Sequence, residues 1–183
     1  VYNIGIGKNL SNNIKLTANH NSAFKAPSLY QAFAPDNITK LEPETSKNIN
    51  ISLNKKYSWG DTRLELYKNT INDMIAYKGW LKYANEDKLT TKGAEVSLNA
   101  SVASYNISLT HNYNNSKLIE LNESPKQSTR RPKNITNLEL SKQYGKYNSK
   151  VQVITKSSSL ISNREEVNGY TLINLSSGYN IND

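Results

Sequence analysis

The run Ala94-Glu95-Val96-Ser97-Leu98-Asn99-Ala100 alternates small or branched apolar side chains with polar ones at every step. After a short interruption at residues 101–103 the alternation resumes, with Tyr105, Ile107 and Leu109 between polar neighbours. A period of two places successive side chains on opposite faces of an extended strand. The segment therefore predicts two β-strands joined by a tight turn, each with one apolar and one polar face.

The same alternation recurs along the chain, whereas helical spacing is nearly absent. Together with the two strands above it predicts nine strands, and the alternation of the other seven is seen at residues 2–6, 14–18, 49–53, 64–67, 138–140, 151–153 and 173–179. With the residues that flank these positions, the strands are predicted to be roughly 10–14 residues long, which is long for a soluble sheet. The predicted fold class is all-β.

The connections between the predicted strands alternate between short and long. Short ones fall near residues 10–13, 58–61, 101–103 and 145–147, and long ones near residues 25–46, 73–88, 117–131 and 157–168. This order predicts an antiparallel up-and-down meander with tight turns on one rim and long loops on the other. Outer-membrane barrels are built in this way, with short periplasmic turns and long extracellular loops.

Aromatic side chains crowd the ends of the predicted strands, while the middle positions are mostly Ile, Leu and Val. Tyr57, Trp59 and Tyr147 lie by short turns, and Tyr77 and Tyr170 by long loops. Such rings form the girdles of a transmembrane barrel at the two membrane interfaces. The competing explanation is that Tyr simply favours strands. Periodicity alone also leaves a soluble β-sandwich open, because its outer face is polar too.

The charge and the rare residue types narrow the function classes. The net charge is +8, but no basic cluster exceeds two adjacent residues, so scattered Lys on a solvated surface is favoured over nucleic-acid binding. With no Cys and two separate His, neither a disulfide scaffold nor a Cys or His metal site is expected. Hydrolase, metalloprotease and phosphate-loop motifs are missing from the sequence, so no catalytic residues, no cofactor and no enzymatic activity are predicted.

Five motifs, in order, resemble those of TonB-dependent outer-membrane receptors. Phe24-Lys25-Ala26-Pro27-Ser28-Leu29-Tyr30-Gln31 is similar to a segment of these receptors at the first long loop. Asn37 and Leu41-Glu42-Pro43-Glu44-Thr45-Ser46-Lys47 resemble the family's entry into the next strand. The stretch from Asn85 to Gly93-Ala94-Glu95 resembles a later strand of the family. Arg130-Arg131-Pro132 and Gly169-Tyr170-Thr171-Leu172-Ile173-Asn174-Leu175 match two strands further on.

This resemblance implies a fold and a function. The family fold is a barrel of about 22 strands enclosing an N-terminal plug, so residues 1–183 are expected to be a fragment of the barrel domain, without the plug and the closing strands. The whole protein would sit in the cell outer membrane as a multi-pass β-barrel. There it would import a ferric siderophore, haem or cobalamin, with energy passed on by the TonB complex through the missing N-terminal part. Its partners would be outer-membrane lipid, its plug and remaining strands, and a small chelate or cofactor ligand.

Two alternatives remain open: a soluble all-β ligand-binding or adhesin module, and a passive porin-like barrel. Under the receptor interpretation the long loops would form the binding vestibule. Aromatic rings supply contact area for stacking, and Arg attracts an anionic chelate. The candidate substrate-binding residues on the long loops are Tyr30, Phe33, Trp80, Tyr83 and Arg164.

Overall fold

Nine long strands form one antiparallel sheet in the computed structural model, which describes residues 1–37, 39–120, 124–161 and 165–181. They are β1 (Asn3–Ser11), β2 (Ile14–Lys25), β3 (Glu44–Tyr57), β4 (Gly60–Tyr77), β5 (Tyr83–Val102), β6 (Tyr105–Ile119), β8 (Asn134–Tyr144), β9 (Tyr147–Lys156) and β12 (Tyr170–Tyr179). Three two-residue strands add to them: β7 (Lys126–Gln127), which pairs with β6, and β10 (Ser159–Leu160), which pairs with β11 (Glu166–Val167). Each long strand pairs with the next one along the chain, so the predicted all-β meander of nine strands is confirmed.

The alternation of connection lengths is also confirmed. Two-residue turns join the strands of one rim, at residues 12–13, 58–59, 103–104 and 145–146. In one of them Ala103 and Ser104 take left-handed φ values of 49° and 68°, as in the turns whose twist suits a tight hairpin. The other rim carries the longer connections, and the first of them contains the short helix α1 (Leu29–Ala32). None of the described residues form a helix long and apolar enough to cross a membrane.

The prediction of a second long loop over residues 73–88 is wrong in its extent. β4 and β5 stay paired up to Tyr77 opposite Tyr83, so the connection spans only residues 78–82. The register shifts on both sides of Met74, and Asp73 has a φ of 55°. A bulge disrupts the hydrogen-bond ladder and the alternation of side chains locally, but pairing resumes beyond it, from Ile75 opposite Asn85. The interrupted alternation is why the sequence pattern could not reveal this part of the hairpin.

Pairing aligns the apolar positions of neighbouring strands on one face, which we call the apolar face. Ile51 pairs with Leu66, and Leu66 with Ala94. This face is uncovered: Ile51 is 48% exposed and Leu175 is 75% exposed. The accessible surface is 12770 Å², against about 8,900 Å² for a compact protein of this mass. Among the described residues no second layer packs on the sheet, and the buried apolar side chains are only Ala34, Leu41, Leu89 and Ala100.

The apolar residues do not follow one line of the register. The line of paired residues that contains Ile51 and Leu66 continues along the sheet to Tyr113 and Asn134. The apolar residues of those later strands, such as Leu109 and Leu138, instead lie in register with Lys55 and Thr62. A level apolar band crosses the register lines in this way when the strands are tilted to it, and barrel strands are tilted by roughly 35–45°.

Candidate functional site

The first long loop is fastened to the β4–β5 hairpin by two asparagine side chains. Asn37 Oδ1 accepts a hydrogen bond of 2.7 Å from the Tyr83 backbone N–H, and Asn37 Nδ2 donates to the Gln31 carbonyl at 2.7 Å. Asn85 Oδ1 accepts from the Glu42 N–H at 2.8 Å, and its Nδ2 donates to the Glu42 and Asp73 carbonyls. Side-chain amides can satisfy both a donor and an acceptor of an irregular backbone, so these residues position the loop.

Helix α1 is short but well capped. Ser28 Oγ accepts a hydrogen bond from the Gln31 N–H at 3.2 Å, while the Gln31 side chain accepts from the Ser28 N–H at 3.0 Å. This reciprocal capping box fixes the start of the helix. The family-like Phe24–Gln31 stretch thus shapes the loop through Ser28 and Gln31, and Tyr30 projects from the helix with 64% of its surface exposed.

Three tyrosine rings meet where this loop contacts the hairpin. Tyr30 and Tyr83 are edge to face, with ring centroids 6.2 Å apart and an interplanar angle of 78°. Tyr77, which pairs with Tyr83 across the strands, has its centroid 5.5 Å from that of Tyr83. Edge-to-face rings within 7 Å attract each other. The structure therefore brings two of the candidate residues together and adds Tyr77, for which the sequence predicts only a place in the aromatic girdle. Tyr77 and Tyr83 are placed symmetrically about Lys78-Gly79-Trp80-Leu81-Lys82, and this symmetry is the signal in the sequence from which the Tyr77–Tyr83 pair could have been predicted.

Phe33 and Trp80 lie near this cluster in the chain but are far more exposed, at 79% and 89%. Phe33 is the C-cap residue that follows helix α1. Trp80 sits in the tip of the β4–β5 hairpin, where Gly79, Trp80 and Leu81 all have positive φ. That turn holds the indole away from the strands. Arg164, the remaining candidate, lies outside the described residues. Ligand contact by any of these side chains stays a prediction.

Gly93 shows that a family-like residue can serve construction. A Cβ at Gly93 would overlap the Tyr67 hydroxyl and the Tyr113 carbonyl. The Tyr67 hydroxyl donates to Asn112 Oδ1 at 3.1 Å, and Asn112 Nδ2 donates to Glu95 Oε2 at 3.2 Å. A Gly inside a strand indicates either a bulge or a close approach of another chain segment. Pairing is regular at Gly93, so it provides a close approach and not a bulge.

The long-loop rim carries no arrangement of catalytic side chains among the residues that the structure describes. Its described side chains are aromatic rings, amides and scattered charges, and no group of three His, Asp or Glu residues in the described chain is arranged to hold a metal ion. The face opposite the apolar one carries small hydrogen-bonded pairs such as Thr17–Ser52 at 2.6 Å and Thr91–Ser116 at 2.8 Å. We call this side the polar face; it is what a water-filled or plugged lumen requires.

Comparison with known proteins identifies the class. Residues 1–183 match the family described as TonB dependent receptor-like, beta-barrel. Together with the open meander, its apolar outer face and its alternating connections, this shows that the chain belongs to that family.

Particular relatives agree. The chain is 26% identical over 187 residues to the vitamin B12 transporter BtuB of Photobacterium profundum, covering 96% of this chain and 30% of that protein. The ferric yersiniabactin uptake receptor FyuA of Yersinia pestis has a similar structure, with a TM-score of 0.79 at 13% identity, over 97% of this chain and 29% of that one. The copper transporter OprC gives a TM-score of 0.80 at 13% identity, over 98% and 31%. The chain thus spans about a third of the length of these relatives.

The family consists of transporter receptors rather than enzymes, and its members reside in the outer membrane. They transport siderophores, cobalamin or copper, and they work with TonB and a plug domain.

Proposed function

We propose that residues 1–183 form one sector of the barrel of a TonB-dependent active transporter in the cell outer membrane. The observation that carries this proposal is the match of the whole chain to the receptor barrel family. The remaining strands and the plug would come from other parts of a longer protein, since the relatives are about three times as long as the matched region. The ligand class is a scarce, bulky chelate: a ferric siderophore, haem or cobalamin.

The rim aromatic residues are the proposed contacts for that ligand. Tyr30, Phe33, Trp80 and Tyr83 present ring surface on the side of the long loops, and Arg164 would add a cation for an anionic chelate. Asn37 and Asn85 support the proposal because they hold the first loop against the hairpin. A preorganised loop loses less conformational entropy on binding.

A soluble module or a passive porin is not favoured. An uncovered apolar face on nine long strands suits lipid, and the family match favours a receptor over a porin.

The test is uptake by the full-length protein. A bacterium that lacks the gene should lose growth on one of three sources offered at limiting concentration: a ferric catecholate siderophore, haem or cobalamin. The intact gene should restore growth, and a deletion of its TonB-binding segment should not. Unimpaired uptake of all three by the strain lacking the gene would overturn the proposal.

The rim contacts are tested separately by binding to the purified receptor. Trp80→Ala and Tyr30→Ala should weaken binding of whichever source supports growth. Trp59→Ala, at the opposite rim, is the matched control and should leave binding unchanged.

A further inference from the structure

The apolar face carries a cluster of lysines at its long-loop end. Lys68 of β4 and Lys92 of β5 are directly paired across the strands. Lys47 of β3 is diagonal to Lys68, since it pairs with Thr70, and Lys117 of β6 is diagonal to Lys92, since it pairs with Thr90. Directly opposed side chains have Cβ atoms about 4.5–5.5 Å apart and diagonal neighbours about 7–8 Å. We call these four residues the lysine cluster.

The regularly paired positions of the apolar face carry no carboxylate among the residues that the structure describes. In the nine long strands, the carboxylates whose pairing is regular all lie on the polar face, at Glu44, Asp61, Glu65, Glu95 and Glu139. On the apolar face, the regularly paired positions of the described strands carry Lys as their only charged residue type. The four lysines of the cluster are exposed, and none of them makes an ion pair with another described residue.

An external anion would stabilise an arrangement of this kind. Like charges placed directly opposite each other destabilise a sheet, so the Lys68–Lys92 pair raises the free energy of the fold unless a counter-charge joins it. Nothing among the described residues supplies that charge, although Glu65 and Glu95 are only three residues away from these two lysines in sequence. They point to the other face.

The neighbouring side chains define the anion. Leu66 and Ala94 lie two residues from Lys68 and Lys92, respectively, on the same face and toward the short-turn rim. Ile49 has the same position relative to Lys47. The cluster thus borders the apolar band on its long-loop side. A ligand that fits both features has acyl chains and a charged head at their end. Lysine stems also reach along apolar surface to place their ammonium groups in the headgroup layer.

We infer that the lysine cluster binds the phosphate groups of an anionic lipid in the leaflet on the long-loop side. This inference rests on the proposed function, because it requires the apolar face to lie in a membrane. Lysines next to a membrane attract anionic lipids. By contrast, Lys55 and Lys142 at the short-turn end already stack over Tyr57 and Tyr105, at 4.8 and 4.2 Å from the ring centroids.

The experiment measures lipid bound to the full-length receptor in detergent by native mass spectrometry. The probes are cardiolipin, which carries two phosphates, phosphatidylcholine, which has no net charge, and inorganic phosphate as competitor. The variant is Lys68→Gln with Lys92→Gln. The matched control is Lys15→Gln with Lys56→Gln, two exposed lysines of the polar face. Lys68→Arg with Lys92→Arg keeps the charge and should keep the binding.

Cardiolipin affinity should fall about fivefold per lysine removed, or roughly twenty-five-fold for the double variant. The control pair should change it less than twofold, and phosphatidylcholine should be unaffected. Equal cardiolipin binding by the wild-type receptor and the Gln variant, or equal loss in the control, would overturn the inference. So would full displacement of cardiolipin by millimolar phosphate, which would indicate a site for free phosphate.

The two proposals fail in different ways. If the receptor takes up its ligand but the Gln variant binds cardiolipin normally, only the lipid site is wrong. If the wild-type receptor does not insert into lipid bilayers, the lipid site and the proposed function are both wrong.

Discussion

Single residues in this sheet are constrained by which face they occupy. Val96 is 45% exposed on the apolar face, whereas its neighbour Ser97 lies on the polar face opposite Arg63 and Thr110. We expect Val96→Arg to destabilise the receptor in bilayers by about 2–4 kcal/mol and Ser97→Arg by much less, because a charge at the membrane midplane loses its hydration. Urea titrations of receptor refolded into vesicles measure this, and similar losses for the two variants would contradict the assignment of the faces.

Gly93 is the second residue whose surroundings predict a measurable effect. Gly93→Ala should lower the free energy of unfolding by about 1–3 kcal/mol, because the added methyl meets both a backbone carbonyl and the Tyr67 ring. Gly7→Ala is the control: its Cβ would approach the movable end of Lys15 at 3.2 Å. Thermal unfolding of the two variants in detergent should differ, and a stable Gly93→Ala protein would show that the Tyr67 contact yields easily.

The first long loop depends on the β4–β5 hairpin for its position. Asn85→Ala removes three hydrogen bonds to the backbone of the loop and of β4, each worth about 1 kcal/mol net. Amide hydrogen exchange across residues 39–43 should become roughly tenfold faster or more. Asn3→Ala, on edge strand β1, should leave that exchange unchanged. If both variants exchange like the wild type, the loop is held by other contacts.

The alternation of turns and long connections also predicts sidedness. The chain contains no Cys, so single substitutions give clean labels within it. In cells that express the full-length protein, Lys40→Cys should react with a membrane-impermeant maleimide, and Ser58→Cys should react only after the outer membrane is permeabilised. Gly60 is unsuitable for this purpose, because a Cβ there would overlap the Asn99 carbonyl. The reverse labelling pattern would invert the topology.

For the molecule as a whole, the two outer strands matter most. β1 and β12 end the order of the sheet, and each pairs with one long strand among the described residues. Open edges and an uncovered apolar face promote association. The 183-residue chain alone, in buffer without detergent, should therefore elute from size-exclusion chromatography as heterogeneous oligomers. A monodisperse monomer that melts cooperatively would favour a soluble β-module.

The period-two pattern of apolar residues predicted most of the architecture. Positions such as Ile51, Val96 and Leu109 predicted the strands and their faces, because a buried or lipid-facing side must repeat every second residue. The pattern failed at Asp73 and Asn85, where bulges and polar side chains interrupt it although the backbone pairing continues. The Tyr30–Tyr83 contact joins residues 53 positions apart through a loop. Loop geometry of that kind follows from tertiary hydrogen bonds and leaves no local signature.

The long β4–β5 hairpin has an evolutionary consequence. β4 has 18 residues and β5 has 20, whereas a tilted strand needs only about 9–11 residues to cross a bilayer. Fully extended, each of the two strands is about 60 Å long. Insertions at the tip can change how far Trp80 reaches without disturbing the pairing below. One added residue on each strand would turn the side chains of the tip to the other face of the sheet. Related proteins should therefore differ here by two residues per strand. The length of the hairpin would then change in increments of about 7 Å.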